Sequence, residues 1–401
     1  MALKRWTWCV LAGTSAVVLA AAACGEDEAV VRARVDAGPP VAVATDGGDA
    51  SVSACGAVIP ATYESPTFET NAAEELLLRK ALDDFMAPMK AVETALGADG
   101  GAPAPFSEAQ LKALYAAGSP SLKTITTAYF QARVDAWLTA YEAALADGAY
   151  QPAVPDGVDK GGVLGKYVFD ANGLDLRQAI DKGSYGAAFY NHAVALIASG
   201  TVTVGTIDRL IAAFGAHPSF PNNHNAPQNK DVNAAGYAAR RDSKDAANPG
   251  PYQRAKAAAI RAKATTEAGS PCNVERDAAI AAFLGEWERS NYATVVFYAN
   301  DTITKLSAST PDYAALLHNY GEIFGFVAGF KTVLSTRRII TDAQIDGLLQ
   351  RMLAPEGSAI QAYRLKTDPI QAATAMQQLM GDIKTIYGFT DAEIERFKTN
   401  F

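Results

Sequence analysis

The 401-residue chain has four cysteines, and none stands in a Cys-x-x-Cys or metal-type cluster. A structural zinc site built on thiolates and a thioredoxin-like redox pair are therefore excluded. There is no His-Glu-x-x-His and no Gly-x-Ser-x-Gly, so the common zinc-protease and serine-hydrolase signatures are absent. Positive charge is short: 35 Lys and Arg stand against 43 Asp and Glu, a formal charge of −8. Such a chain has no counterion-release drive toward a phosphate backbone, which argues against nucleic-acid binding. Gly161-Gly162-Val163-Leu164-Gly165-Lys166 mimics a phosphate loop, but Tyr167 replaces the required Ser or Thr and no strand is expected before it. Asp170-x-Asn172-Gly173-x-Asp175 has the residue types of a calcium loop without the twelve-residue register or the terminal Glu.

What is present begins with an address. Lys4 and Arg5 precede an apolar stretch to Leu19, and four alanines lead to Cys24, the pattern of a signal peptide over residues 1–23. The run is shorter than the roughly 20 residues a bilayer span needs. Ala21-Ala22-Ala23-Cys24 resembles a bacterial lipobox, so Cys24 is expected to carry diacylglycerol and palmitate and to hold the mature protein on a membrane. Gly25 follows Cys24 where an inner-membrane retention signal often has Asp, which points to the outer membrane. Residues 24–64, with no apolar periodicity, read as a flexible tether. Once Cys9 leaves with the leader and Cys24 is lipidated, Cys55 and Cys272 remain, and two thiols in an oxidising compartment are expected to pair. The alternative is two unpaired buried thiols.

From Thr70 onward apolar residues recur at three- and four-residue steps. Ser107 with Gln110, Thr341 with Gln344 and Thr390 with Glu393 read as capping boxes, and Asp368-Pro369 as a cap with proline in the first turn. Helices are expected at 72–96, 107–117, 121–147, 174–199, 204–214, 251–267, 273–306, 311–335, 342–353, 369–387 and 391–399. No comparable stretch alternates as a strand, so the fold class is all-α. The segments 148–173 and 215–250 are irregular, and the second marks a boundary between an N-terminal bundle, 65–230, and a C-terminal bundle, 231–401. Tyr185-Gly186-x-x-Phe189 with Ile207-Asp208-x-Leu210 is echoed by Tyr320-Gly321-x-x-Phe324 with Ile345-Asp346-x-Leu348, which suggests internal duplication.

The segment 311–335 is apolar nearly all round. Away from its main stripe lie Gly321, Gly325 and Gly329, each four apart, beside His318 and Glu322, also four apart. A glycine ridge admits another backbone or a ligand. An imidazole and a carboxylate on one turn offer two ligands to a metal ion, iron or zinc, with further ligands expected from Glu286, Glu288 or Asp301. Glu286 is the first of these. The plain alternative is a local His–Glu hydrogen bond. The glycine spacing also resembles transmembrane packing, although His318, Glu322 and Lys331 argue against a span. The other histidines, His192 in an apolar helix and His217 and His224 in a Pro- and Asn-rich loop, read as structural.

Asn172-Gly173-Leu174 with Gln178 and Lys182-Gly183, Trp287-Glu288 with Asn291, and His318 with Glu322 before Gly325-Phe326 together resemble uncharacterised bacterial lipoproteins grouped as domain of unknown function 4856. That group is similar to imelysin-like proteins. The resemblance implies paired helical bundles in the bacterial envelope, often linked to iron acquisition. The imelysin Gly-x-His-x-x-Glu pattern is not literal here, because His318 and Glu322 stand four apart. Three functions follow as expectations. The first is a non-enzymatic envelope lipoprotein binding a metal or small ligand as part of an uptake or envelope system. The others are a metal-dependent peptidase, and an interaction or scaffold module for an envelope protein partner.

Overall fold

The computed structural model describes residues 51–98, 106–151, 160–243 and 245–400. The leader, the Cys24 lipidation site and most of the tether lie outside the described residues. A short hairpin, β1 (Ser51–Val52) with β2 (Val58–Ile59), opens the described chain. It is followed by α1 (Phe68–Asn71), α2 (Ala73–Leu96), α3 (Glu108–Ala116), α4 (Leu122–Ile125) and α5 (Ala128–Asp147). A second hairpin, β3 (Gly162–Leu164) with β4 (Tyr167–Phe169), precedes α6 (Leu176–Ser184), a π-helical turn (Tyr185–Tyr190), α7 (Asn191–Ala198) and α8 (Val204–Phe214). The remainder is α9 (Asn233–Arg240), α10 (Pro251–Glu267), α11 (Asn273–Leu306), α12 (Tyr313–Ala328), α13 (Asp342–Arg351), α14 (Arg364–Thr367), α15 (Pro369–Tyr387) and α16 (Asp391–Phe397). Among the described residues the fold is all-α apart from the two small hairpins. No helix among the described residues is long and apolar enough to cross a membrane.

Capping chemistry sets the helix ends. Thr341/Gln344 and Thr390/Glu393 make reciprocal boxes, and Asp368 caps the proline-started α15. Ser107 accepts from the Gln110 amide. Two further boxes, Ser121/Thr124 and Thr203/Thr206, use a threonine hydroxyl for the return bond, a variant the Glu/Gln rule does not catch. The expected helix at 121–147 breaks at Thr126-Thr127, where the Thr127 amide donates to the Ala187 carbonyl, 2.9 Å, in the π turn. A π turn shifts its own hydrogen-bond ladder, and here a neighbouring segment uses the carbonyl.

Further features differ from the sequence reading, among them the expected helix 311–335, which ends at Ala328. Residues 51–64, read as tether, are built into the body: Ser51 and Val52 pair with Ile59 and Val58 in the hairpin, and buried Tyr63 donates to Asp208 at 2.6 Å. Residues 162–169 pair as β3–β4, too short for alternation to register. Within the segment 215–250, the Ala-rich run Asn233–Arg240 folds as α9 because α11 covers it.

Cys55, in the β1–β2 turn, is disulfide-bonded to Cys272, which ends a 3₁₀ turn just before α11. Glu275 fastens the same corner, accepting from the Cys55 amide and pairing with Arg261 at 2.7 Å. The apolar core is continuous across residue 230: α11 lies along α10, α12 and α15, while α12 lies on α6.

The α6–α12 crossing has almost no side-chain layer between its backbones. A Cβ on Gly321 would lie 2.7 Å from the Asp175 Cβ. One on Gly325 would meet the Ala179 carbonyl and the Gly183 amide, each at 2.9 Å. One on Gly329 would lie 2.5 Å from the Gly183 carbonyl oxygen. The ridge on α12 therefore seats another helix, and this brings the polar side chains of α6 onto His318.

Candidate functional site

Asp175 is the N-cap of α6, and its two carboxylate oxygens have separate tasks. Oδ1 accepts from the Gln178 amide at 3.0 Å, holding the first turn, while Oδ2 accepts from His318 Nδ1 at 2.8 Å. The loop that delivers it is fixed by Asp170, whose Oδ1 accepts from the Asn172 and Leu174 amides at 2.9 and 2.8 Å. The residues that mimic a calcium loop thus form an Asx turn leading into a helix cap.

With Nδ1 engaged, the imidazole presents Nε2 to two groups. Glu322 Oε1, one turn along α12, lies 3.4 Å away, and the side-chain nitrogen Nε2 of Gln178, in the first turn of α6, lies 3.1 Å away. The ring of Tyr167, on β4, stacks over the imidazole with centroids 4.0 Å apart. His318 is 16% exposed, Glu322 7% and Asp175 fully buried.

Charge surrounds this centre. Arg177 pairs with Glu93 of α2 at 2.5 Å, and Lys182 pairs with Asp181 at 2.7 Å, all four buried. Burial raises the Glu93 carboxyl above its usual range and nearby Asp175 raises it further, against the pull of Arg177. Burial also raises the hydroxyl of Tyr298, with Glu322 beside it adding to the shift. Two acceptor atoms inside the centre, Glu322 Oε2 and Gln178 Oε1, are sealed from solvent and have no donor.

Burial by itself would lower the His318 pKa, but hydrogen bonds to Asp175 and Glu322 outweigh it and hold the imidazole at about 9. Metal-free, the ring is therefore a cation at neutral pH. The Gln178 carbonyl, turned toward Nε2–H, then gains the donor it otherwise lacks. Because the folded pKa lies above the unfolded value, this interaction stabilises fully below pH 6.5 and is lost as pH rises through about 9. Denaturant titrations of metal-free protein should show a stability loss of about 2–3 kcal/mol over that interval. His318→Gln should flatten it, and an equal slope in both proteins would refute the assignment.

The sequence-predicted residues divide. His318 and Glu322 are together. Glu286 is elsewhere: on another face of α11 it pairs with Arg254 at 2.8 Å and lies 3.9 Å from Arg289, so a guanidinium and not the imidazole is its partner. Glu288 is fully buried and satisfied, accepting from the Ile339 and Ile340 amides and the Tyr387 hydroxyl. Asp301 accepts from Asn319 at 2.7 Å and pairs with Lys305. Asp175 and Gln178, which complete the centre, carry a sequence signal of their own. Asp-x-x-Gln before an amphipathic run is an N-cap pattern, though it does not say which helix the cap will meet.

Comparison of the chain with protein-family models, curated proteins and solved structures gives no match.

Proposed function

We propose that this is a lipid-anchored bacterial envelope protein that binds a divalent transition metal, iron or zinc, in its helical body, with His318 Nε2 and Glu322 as ligands. Gln178 takes the place expected of Glu286, and Asp175 orients the ring. The protein then serves in metal uptake or in an envelope system without chemistry of its own. The leader and Cys24 support the address, and the resemblance of the His318–Glu322 segment to envelope lipoproteins is consistent with it.

One observation carries the metal reading: Nδ1 is committed to a carboxylate, while Nε2 faces the Gln178 side-chain amide and the Glu322 carboxylate, whose second oxygen is buried without a hydrogen-bond donor. A carboxylate on the far ring nitrogen is the usual outer support of a metal-bound histidine, fixing the tautomer and raising ligand basicity. Glu322 Oε1 stands 3.4 Å from Nε2, within the ~3.3–3.6 Å between neighbouring ligand atoms of a tetrahedral ion bound at ~2.0–2.2 Å, and the Gln178 amide would offer its oxygen once turned. The seat suits one positive particle, a proton or a metal, and loading by metal releases the proton. No group in the set is arranged as nucleophile or general base toward an open substrate cleft, so binding is favoured over peptidase chemistry.

Elemental analysis and zinc titration of the lipid-free mature protein test this. Wild type should bind an equivalent of zinc that His318→Ala loses. Asp175→Asn should keep the ligands but weaken binding by about 10–100-fold. Equal metal content in wild type and His318→Ala would overturn the proposal.

A further inference from the structure

Away from the His318 centre, a second group of ligand-type side chains converges where three helices meet. Glu74 and Glu75 lie in the first turn of α2, His192 is on α7, and Arg209 is on α8. His192 Nε2 is 2.8 Å from Glu75 Oε1 and 3.8 Å from Glu74 Oε1. One atom from each of these three residues lies within 4.8 Å of the other two. His192, read from the sequence as an ordinary core histidine, is thus the middle member of a His–carboxylate–carboxylate set.

The hydrogen bonding within this set is lopsided. Glu75 is fully buried, and its Oε1 is hydrogen-bonded to His192 Nε2 and Arg209 Nε, the latter at 2.7 Å, with Arg209 Nη2 in ion-pair contact at 2.6 Å. Its other oxygen, Oε2, is equally sealed and takes none. Arg209 Nη2 also pairs with Glu74. One guanidinium thus spans both carboxylates while half of the buried carboxylate goes unused. A buried acceptor without a partner costs on the order of 1–3 kcal/mol, so an ion able to use that oxygen gains what the arginine does not supply. Arg209 is 28% exposed and Glu74 42% exposed, so the guanidinium can leave toward solvent without crossing the core. The neighbouring acid, Asp208, is not available to receive it, being held by Tyr63, Ser65 and Asn71.

We propose that Glu74, Glu75 and His192 form a second divalent-metal site, independent of the His318 centre, whose ion displaces Arg209. One imidazole with two carboxylates suits zinc, manganese or ferrous iron, and the imidazole disfavours calcium and magnesium. The ion would tie the start of α2 to α7.

Zinc calorimetry on the full mature chain, with Zn²⁺ as the probe, tests the site separately from the proposed function. Wild type should bind two equivalents, His192→Ala and His318→Ala one each, and the double variant none. Glu74→Gln, an isosteric change at a half-buried position, should weaken one equivalent by at least about tenfold. Arg209→Met should tighten that same equivalent by about tenfold, since the competing cation is gone. An unchanged zinc count and affinity in both His192→Ala and Glu74→Gln would overturn the site, whatever His318→Ala does. A loss confined to His192→Ala, with His318→Ala like wild type, would uphold this site and refute the other.

Discussion

Replacing Cys55 and Cys272 by serine, or reducing their bond, is expected to cost about 5 kcal/mol of stability, the largest effect of any change considered. The bridge joins positions 217 residues apart, and the entropy it removes from the unfolded chain by closing so long a loop grows with the logarithm of the loop's length. Little else could substitute. β1–β2 is a pair of two-residue strands, and hairpins of that size are not stable alone. Glu275 and Arg261 would keep part of the corner, so the loss should fall on residues 51–64 before the rest of the body. Urea unfolding with and without reductant measures the total, and hydrogen exchange locates it. An unchanged midpoint after verified reduction would mean that the corner is held by side chains alone.

The second large effect concerns the glycine ridge. Gly329→Ala places a methyl 2.5 Å from the Gly183 carbonyl oxygen, a contact no side-chain rotation can relieve because both partners are backbone or Cβ. Overpacking a tight contact typically costs ~1–3 kcal/mol, and a rigid helix pair belongs at the upper end, about 3 kcal/mol. The more informative consequence is at the site. Asp175 and Gln178 belong to α6, while His318 and Glu322 belong to α12, so a few tenths of an ångström of separation stretches the bonds that join them. Gly329→Ala should therefore weaken zinc at the His318 centre by at least about tenfold while leaving the Glu74–Glu75–His192 site as it was. Gly347→Ala, where a Cβ meets nothing within 4 Å, is the control and should be close to neutral. A Gly329→Ala protein with wild-type stability and metal affinity would contradict the close-packed crossing.

Local signals in the sequence were enough for most of the helices, because a helix announces itself through 3.6-residue periodicity and through caps such as Thr341/Gln344, all within a few positions of one another. They did not show α9, the break at Thr126-Thr127, or the end of α12 at Ala328. His318 and Glu322 were legible for the same reason, since i and i+4 share a face. The partner on the other side of the imidazole was not. Asp175 lies 143 residues upstream, and nothing local distinguishes an N-cap that also faces a histidine from one that faces water. Glu286 was attractive as a carboxylate beside Trp287 on a buried helix, but its rotational position puts it against Arg254. Gly321, Gly325 and Gly329 were read correctly as a ridge for close approach, while whether helix or ligand approaches depends on tertiary packing. The pairing of Cys55 with Cys272 could be named by elimination. The same cysteine placed in a segment of tether-like composition was a sign that residues 51–64 are part of the body.

The central claim is that His318 keeps its Nδ1 proton for Asp175 and offers Nε2 to a metal ion. Long-range ¹H–¹⁵N NMR of histidine-labelled protein during a zinc titration reads this directly, with His318→Ala identifying the signal among four histidines. The account predicts that the His318 Nε2 resonance moves to a metal-bound position while Nδ1 stays protonated. A His318 ring unmoved by saturating zinc, both nitrogens still protonated, would contradict it.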